Sequence, residues 1–398
     1  MYPDWPATDA DLVPLPQCIG PKLEPFDFQG PQQIEFLEYI GEGLHAHVFK
    51  IRILGQIYAL KLFRFVFSDS WYGPPPYTEF DDAHHEVLSA LYNYTEPFSS
   101  ECRAFGRLQE AGHEDLAVKC FGYMLLSEEN EAAMMAQFSK DYFDFNGDMN
   151  HAGYGNMRSC YPGKNGRDPP IRGIIKEFGV PDETTPKSFR KTRAPKMLRN
   201  IKKMQQLGII HVDPATRQMI NSKWSDFSTA ITVPHFLTTP ELNPHLTPDE
   251  ISLMELETFK LSMGDYTEFD EHISTWNEWQ EVKLSIRAFH NGEGCQIKYG
   301  LRDKAAKRRV YTFVDPRKYD WRQGPVSADS PVRRKLRLKP PVWFYECSSD
   351  EQTAKLSDPQ KLNPAISWGY KEGFIFPRVG INMWDKSPLT LAHPPSYM

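Results

Sequence analysis

The sequence predicts an α+β fold in two parts, an antiparallel β-sheet with a flanking helix followed by a mainly helical part. The length of 398 residues exceeds the usual size of one compact core, which favours a two-lobed domain or two smaller ones. Apolar residues run through residues 34–62 around the turn residue Gly55, a pattern typical of three antiparallel strands. Apolar residues also repeat at helical spacing between residues 197 and 207.

The first part can be divided by its local sequence. Residues 1–33 are rich in proline and lack periodicity, which predicts an extended arm before the folded body. Helices are predicted after the three strands, over residues 82–93 and 99–110, and Ser99 or Ser100 is suited to cap the second one.

Two further strands and an irregular segment follow. Residues 116–126 and 171–178 are apolar and strand-like. The interval 140–170 holds many Gly, Asp, Asn and Pro residues and few large aliphatic ones, which indicates an irregular insertion.

Two helices are predicted in the second part. The tract 190–203 is rich in Arg and Lys, but its apolar residues share one face and leave the charges on the other. A solvated helix face explains these charges, and a nucleic-acid or nuclear-import role is the alternative. Another helix is predicted to begin with Thr247 as N-cap, Pro248 at the first helical position and Glu250 closing a capping box.

Composition and charge limit the classes of partner. A formal net charge of −6 with mixed signs provides no basic field, so direct nucleic-acid binding is not expected. No stretch reaches the roughly 18 apolar residues of a membrane span, and the start of the chain lacks the pattern of a secretory signal, so we expect an intracellular protein. Six scattered cysteines without metal-ligand spacing predict reduced thiols and neither zinc nor disulfides.

The stretch GEGLHAHV, residues 41–48, sets two glycines between two predicted strands. Gly41 and Gly43 have no side chains, which lets backbone amides approach a polyphosphate, and Val48 on the next strand is placed to cover a purine ring. The alternative is an ordinary turn, because a Gly-x-Gly pattern at a hairpin is specific only in context.

Lys61 lies inside the apolar strand YALKLF, where an ammonium group requires an anionic partner. Glu101 is the preferred partner, because its helix runs directly into the next predicted strand, and Glu86 is the competitor. The alternative is an edge strand from which Lys61 reaches water.

Two carboxylates follow in the segment HVDPATRQMINSKWSDFS, residues 211–228. Asp213 and Asp226 are thirteen positions apart on neighbouring turns. Such a pair can divide its tasks, one carboxylate orienting a hydroxyl for attack and the other holding a magnesium ion that bridges phosphates. The alternative is that both aspartates cap turns.

The order of these motifs resembles the protein-kinase-like superfamily. GEGLHAHV resembles its glycine-rich loop, YALK its strand lysine, HVD its catalytic-loop triplet and DFS its magnesium-binding motif. More narrowly, ECRAFGRLQEAG, IRGIIKEFG and HVDPATRQMINSKWSDFSTAIT resemble a fungal kinase-like family labelled as a kinetochore complex subunit.

This resemblance implies a bilobal protein-kinase-like fold with an N-lobe over residues 34–170 and a hinge, C-lobe and C-terminal extension over residues 171–398. It implies ATP and Mg²⁺ as cofactors in a cleft between the lobes. The implied nucleotide-binding residues are Gly41, Gly43, Val48, Lys61 and, in the hinge at 174–179, Glu177. The implied catalytic residues are Asp213, Lys61 and Glu101, and the implied metal ligands are Asp226 and Gln218.

The sequence departs from the kinase pattern at the groups that tune phosphoryl transfer. Ala46 stands in place of the third loop glycine, and Val212 in place of the arginine of the triplet. Ala215 replaces a lysine that steadies the transferred phosphate, and Gln218 replaces the second metal-binding asparagine. Ser228 replaces the glycine after Asp226 and Phe227.

The sequence therefore predicts a protein that binds ATP and magnesium, with weak or absent phosphotransfer to a protein. The family resemblance adds a kinetochore-associated scaffold role with a protein partner or protein substrate, and a nuclear location, with the cytoplasm as the alternative. An active protein or small-molecule kinase and an interaction module that binds no nucleotide are the alternatives. The oligomeric state is not indicated.

Overall fold

The computed structural model describes residues 20–66, 94–147, 157–161, 168–179, 193–242, 248–288, 308–319, 336, 342–348, 366–371 and 374–379. The helix predicted over residues 82–93, the competing Glu86 and the proposed cap Thr247 lie outside these described residues.

A five-stranded antiparallel sheet contains the first motifs. Its strands are β1 (Glu35–Glu42), β2 (Ala46–Ile53), β3 (Gln56–Phe63), β4 (Cys120–Leu125) and β5 (Arg172–Glu177), in the order β1-β2-β3-β5-β4. The three strands predicted between residues 34 and 62 are confirmed. Leu54 and Gly55 join β2 to β3 with φ angles of 48° and 78°, as a tight hairpin turn requires. Because β3 has β2 on one side and β5 on the other, it is not an edge strand.

Helix α1 (Pro97–Glu110) is buried along most of its length between the sheet and the later part of the chain. Its N-cap is Glu96, whose side chain accepts a hydrogen bond from the amide of Ser99, so the prediction of Ser99 or Ser100 as the cap was wrong. Arg103 donates to the carbonyl of Thr232 at 3.1 Å, and Arg107 donates to the carbonyl of Leu207 at 2.9 Å. These bonds give the buried guanidinium groups polar partners and connect the helix to residues 207–232.

The described part of the proline-rich segment, residues 20–33, packs on the sheet and on α1. Leu23 is buried, and Phe26 donates its amide to the carbonyl of Tyr123 at 2.8 Å. At Gly106 the helix approaches this segment so closely that an added Cβ would lie 2.4 Å from the carbonyl oxygen of Lys22. A glycine in the middle of α1 is therefore explained by backbone contact.

Gly106→Ala is expected to lower the free energy of unfolding by about 1–3 kcal/mol, because the added methyl group overpacks against backbone that cannot rotate away. The matched control is Gly264→Ala in α4 (Pro248–Trp279), where an added Cβ meets no atom within 4 Å. This control is expected to stabilise the protein by about 0.5–1 kcal/mol through helix propensity. Urea unfolding measures both, and equal effects of the two variants would contradict the close approach.

Helices α3 (Ala194–Gln206) and α4 pack against each other in the second part. Gln205 joins them, donating to the carbonyl of Ser262 at 2.7 Å and accepting from the hydroxyl of Tyr266 at 2.8 Å. The helix predicted from the apolar repeat is confirmed as α3, and its Met197, Ile201 and Met204 are buried. The predicted start at Pro248 is also confirmed.

Short strand pairs complete the described second part. The first four are β6 (Ile209–Ile210), β7 (Met219–Ile220), β8 (Lys223–Trp224) and β9 (Ile231–Thr232), which pair as β6-β9 and β7-β8. Later antiparallel pairs join β10 (Arg308–Val314) to β11 (Val342–Ser348) and β12 (Ile366–Lys371) to β13 (Phe374–Val379). In the described residues, the second part thus combines two α-helices with short strands.

Two features differ from the sequence prediction. Helix α2 (Glu128–Gln137) was not predicted, although Ser127 caps it by accepting from the amide of Asn130. The strand predicted over residues 116–126 begins at Cys120, because the amide of Val118 bonds to the carbonyl of Trp224 instead of joining the sheet. Residues 116–118 are apolar because they are buried beside β8. A segment buried outside the sheet shows the same apolar pattern as a strand.

Candidate functional site

Lys61 lies on the central strand of the sheet and contacts two carboxylates. Its Nζ donates to Glu101 Oε2 at 2.7 Å and to Asp226 Oδ1 at 2.8 Å. The residue is 7% exposed, which excludes the alternative that it reaches water from an edge strand. The ion pair predicted between Lys61 and Glu101 is present, and Asp226, 165 residues away in sequence, joins it.

The charges of this group support one another. Burial disfavours the ammonium form of Lys61, but the nearby carboxylates of Asp226 and Glu101 outweigh burial and raise its pKa. Burial also opposes ionisation of Asp226, yet the ammonium groups of Lys61 and Lys176 hold its pKa well below the ordinary value. Both partners are therefore charged across the physiological pH range.

A second lysine completes the group. Lys176 on β5 is 5% exposed, and its Nζ donates to Glu101 Oε1 and to the carbonyl oxygen of Ser225 at 2.8 Å. Glu101, which is fully buried, thus gives one carboxylate oxygen to each lysine. Sequence reasoning missed Lys176, although it shares with Lys61 the signal of a lysine within an apolar strand.

The glycine turn lies between β1 and β2. The φ angle of Gly41 is 151°, a region that favours glycine, and an added Cβ at Gly41 or Gly43 would meet no atom within 4 Å. The amide of Gly43 donates to the carbonyl of Ala46 at 2.9 Å. Val48 is directly opposite Lys61 in the sheet, so the two side chains share a face.

The turn is joined to the segment that carries Asp226. His45, at its tip, is buried and forms a hydrogen bond of 3.0 Å between its Nδ1 and Ser228 Oγ. The amide of Ser228 in turn donates to Asp226 Oδ1 at 2.9 Å. The glycine turn and the DFS segment are therefore in direct contact.

The HVD segment is held by a residue that sequence reasoning did not identify. Asp265 on α4 accepts from the amides of His211 at 3.0 Å and Val212 at 2.7 Å. Val212 has a φ of 72°, an uncommon conformation for a β-branched residue. Burial raises the pKa of Asp265 to about 7, although the hydrogen bonds from the two amides favour the ionised carboxylate and lower the pKa. No pattern within the sequence of α4 relates Asp265 to residues 211–213, because the contact is set by tertiary packing.

Tilted and edge-to-face ring contacts link the HVD and DFS segments to α1. The ring centroid of His211 lies 4.5 Å from that of Trp224 and 5.1 Å from that of Phe227. The ring centroids of Phe227 and Phe105 of α1 are 5.1 Å apart. Burial lowers the pKa of His211 to about 4, so its ring is neutral near pH 7. Through Phe227, these ring contacts connect His211 and Trp224 to Phe105 of α1.

Asp213 is engaged by its neighbours. Its Oδ2 accepts from Arg217 and from the side-chain amide of Gln218, both at 2.7 Å. The Oε1 atom of Gln218 is buried without a hydrogen-bond partner among the described residues. Ala215 is buried, and the guanidinium of Arg217 provides the cation beside Asp213. Sequence reasoning weighed Ala215 and overlooked Arg217.

Glu177 lies apart from the lysine group. Its amide donates to the carbonyl of Lys119 at 2.8 Å, and its half-exposed carboxylate is 3.9 Å from Lys223. Because neighbouring residues of a strand point to opposite faces, the side chain of Glu177 is directed away from the face that carries Lys176. The structure brings Lys61, Glu101 and Asp226 together and leaves the Glu177 side chain outside them.

A different cluster has the composition of a metal site. Ligand atoms of Glu42, His47 and Asp144 lie within 4.8 Å of one another. The guanidinium of Arg64 is already bonded to both acids, at 2.6 Å to Glu42 and 2.8 Å to Asp144. Arg64 thus supplies the positive charge that this cluster requires.

Comparison with known families identifies the chain. The family model described as "Kinetochore Sim4 complex subunit FTA2" matches residues 12–231, more than half of the chain. The chain belongs to the FTA2 family. The matched range contains Lys61, Glu101, Asp213 and Asp226 and ends before α4. A search of curated proteins gives no significant match.

Membership of the FTA2 family implies a kinetochore-associated role, protein partners and a nuclear, chromosomal location. None of the helices that the structure describes is long and apolar enough to cross a membrane. The sequence motifs predicted a resemblance to a kinetochore subunit family, and the family match confirms this prediction.

Proposed function

We propose that this FTA2 family member has a bilobal protein-kinase-like fold and binds ATP with Mg²⁺ in the cleft between the lobes. The observation that carries the proposal is the contact of Lys61 with both Glu101 and Asp226. In a nucleotide site of this type, a lysine oriented by a glutamate binds the phosphates, and an aspartate on a later turn holds the metal. The open glycine turn and Val48, which shares a face with Lys61, provide the surfaces for the phosphates and the base.

The residues present fit a magnesium ion. Within the part of the chain that the structure describes, both hydrogen bonds of the Asp226 carboxylate go to Oδ1, which leaves Oδ2 for a metal, and Gln218 Oε1 is buried without a partner. Carboxylate and amide oxygens are the ligands that Mg²⁺ prefers. A bound Mg²⁺ neutralises phosphate charge. The protein's part is to orient Asp226 through Lys61 and the amide of Ser228.

Phosphotransfer is proposed to be weak or absent. Phosphoryl transfer depends mainly on positioning and electrostatics. Asp213, the residue in the place of the base, already accepts two hydrogen bonds on Oδ2, and the steadying lysine is replaced by the buried Ala215. Binding is therefore better supported than turnover, and we infer a nucleotide-binding subunit of a kinetochore assembly.

Titration calorimetry of the full chain tests the binding function. Magnesium ATP is expected to bind one site and to stabilise the protein by about 2.7 kcal/mol at ~100 times the dissociation constant. Magnesium ADP and ATP in EDTA serve as comparison ligands that report the contribution of the γ-phosphate and of the metal. Absence of both heat and stabilisation with all three ligands would favour an interaction module that binds no nucleotide.

One observation favours slow phosphotransfer as a second candidate function. Arg217 is bonded to Asp213 at 2.7 Å, and its side chain is 70% exposed, so it is placed to meet an incoming phosphate. If transfer occurs, Asp213→Asn is expected to reduce it by about a hundredfold or more while nucleotide affinity stays within a few-fold, because a positioned base acts on the reaction more than on binding. Release of labelled phosphate, with protein and small-molecule acceptors, measures the rate. Equal rates in both proteins would remove Asp213 from this role.

A further inference from the structure

The buried lysine on β5 contacts two other segments of the proposed nucleotide site, α1 and the DFS segment. Lys176 Nζ donates to Glu101 on α1 and to the carbonyl of Ser225, the residue before Asp226. Its ammonium also lies 5.2 Å from the ring centroid of Phe105, which packs against Phe227. A single cation therefore joins β5, α1 and the DFS segment.

The charges of the group balance only when Lys176 is included. Lys61 and Lys176 provide two positive charges, and Glu101 and Asp226 provide two negative ones. Glu101 is completely buried, and a buried carboxylate is stable only while it is paired and hydrogen-bonded. Among the described residues, Lys61 would be the remaining cation paired with Glu101 if Lys176 were removed.

Nucleotide binding would change the hydrogen-bond partners of Lys61 but not those of Lys176. Lys61 is divided between Glu101 and Asp226 in the structure, and it has to donate to phosphate oxygens when a nucleotide binds. The carboxylate of Glu101 then loses part of its compensation. Lys176 faces Glu101 and a backbone carbonyl, neither of which would bind the ligand, so its bonds can persist in the loaded state.

We propose that Lys176 is a positioning residue that keeps a hydrogen-bonded cation on Glu101 and holds the Ser225–Asp226 backbone beside β5 and α1 while Lys61 is engaged with phosphate. This inference deepens the proposed nucleotide function and rests on it. Its physical basis is that Lys176 stays bonded to Glu101 when Lys61 turns to the ligand. The position of α1 then does not depend on Lys61.

The first test needs no ligand. Hydrogen exchange of the backbone amides of Phe227 and Ser228 is compared between the wild type, Lys176→Met and the control Lys202→Met, which removes an exposed lysine from α3. Lys176→Met is expected to accelerate exchange at these amides by about tenfold, because the DFS segment loses its tie to β5. Exchange unchanged from the wild type would overturn the proposal. If Lys176→Met does not fold, Lys176→Gln, which keeps a donor for Ser225 but no charge, replaces it.

The second test separates positioning from general stability by a double-mutant cycle with Glu101→Gln. Lys176→Met is expected to weaken the affinity for magnesium ATP by about tenfold in the wild-type background and by less than about threefold beside Glu101→Gln, since contacting residues couple. Lys176→Arg, which keeps the charge, is expected to restore the affinity to within a few-fold. An equal loss in both backgrounds would show that Lys176 does not act through Glu101. A wild type that binds no nucleotide refutes the proposed function, and the exchange comparison then still decides the role of Lys176.

Discussion

Lys61→Met is expected to abolish the stabilisation by magnesium ATP and to lower the free energy of unfolding of the ligand-free protein by about 3 kcal/mol. Removal of one member of a buried ion pair typically costs about 3–5 kcal/mol, because the other charge remains buried without compensation. The lower end applies here, since Glu101 keeps its bond to Lys176 and the Asp226 side chain is 32% exposed.

Asp226→Asn is expected to abolish the same nucleotide effect with a smaller loss of ligand-free stability. The change removes the charge that we propose binds the metal, but Lys61 keeps its bond to Glu101. Thermal unfolding with and without ligand measures both variants, and Lys202→Met on the exposed face of α3 is the matched control for loss of a lysine. Equal nucleotide-dependent shifts in the wild type, Lys61→Met and Asp226→Asn would contradict the proposed site.

Replacement of Asp265 is expected to give the other large effect. Asp265→Ala leaves the buried amide of His211 and the partly buried amide of Val212 without an acceptor and removes the support for the left-handed conformation of Val212. An unsatisfied buried donor costs about 1–3 kcal/mol, so the loss in the free energy of unfolding should reach about 3 kcal/mol. Nucleotide affinity and any phosphotransfer should fall together, because Asp213 directly follows the released segment.

The same residue makes stability depend on pH in a predictable direction. Burial raises the pKa of Asp265 to about 7 in the folded protein from an ordinary value of 3.8. Between these values the folded state keeps a proton that the unfolded state releases, so stability falls as pH rises from about 4 to about 7. The slope approaches about 1.4 kcal/mol per pH unit in the middle of this window. Below pH 4 both states bind the proton, and the full contribution is present.

Asp265→Asn removes the titrating group; its NH2 group cannot accept a hydrogen bond from one of the two backbone amides, which adds a loss of stability that does not change with pH. The stability of the wild type relative to Asp265→Asn should fall as pH rises from about 4 to about 7, so that the difference between the two proteins narrows or reverses. Urea unfolding at a series of pH values provides the curves. A constant difference between wild type and Asp265→Asn over that range would show that Asp265 does not titrate there.

The sequence predicted those parts of the fold and site that depend on local pattern. Alternation around Gly55 indicated the three-stranded start of the sheet, and the lysine within YALKLF indicated a buried cation with Glu101 as its partner. These predictions are confirmed because the spacing of apolar residues and the turn residues act over short stretches of sequence. A buried lysine also needs an anionic partner, and few candidates are available in the sequence.

Features set by tertiary packing were not predictable in the same way. Asp265 bonds to amides more than fifty positions earlier, and Lys176 pairs with a carboxylate seventy-five positions away. The packing of residues 20–33 against Gly106 likewise depends on backbone contact that proline content does not encode. Helix α2 was missed because its buried residues are Asn130 and Met134, which do not form an apolar repeat at helical spacing.

The hydrogen bond between His45 and Ser228 has a kinetic consequence. It joins the glycine turn to the segment beside Asp226, so we expect nucleotide binding at the proposed site to require this contact to open. Association should therefore include a unimolecular opening step, and the observed rate should level off as ligand concentration increases. His45→Ala would lift that plateau in stopped-flow measurements and shorten the residence time of the bound ligand.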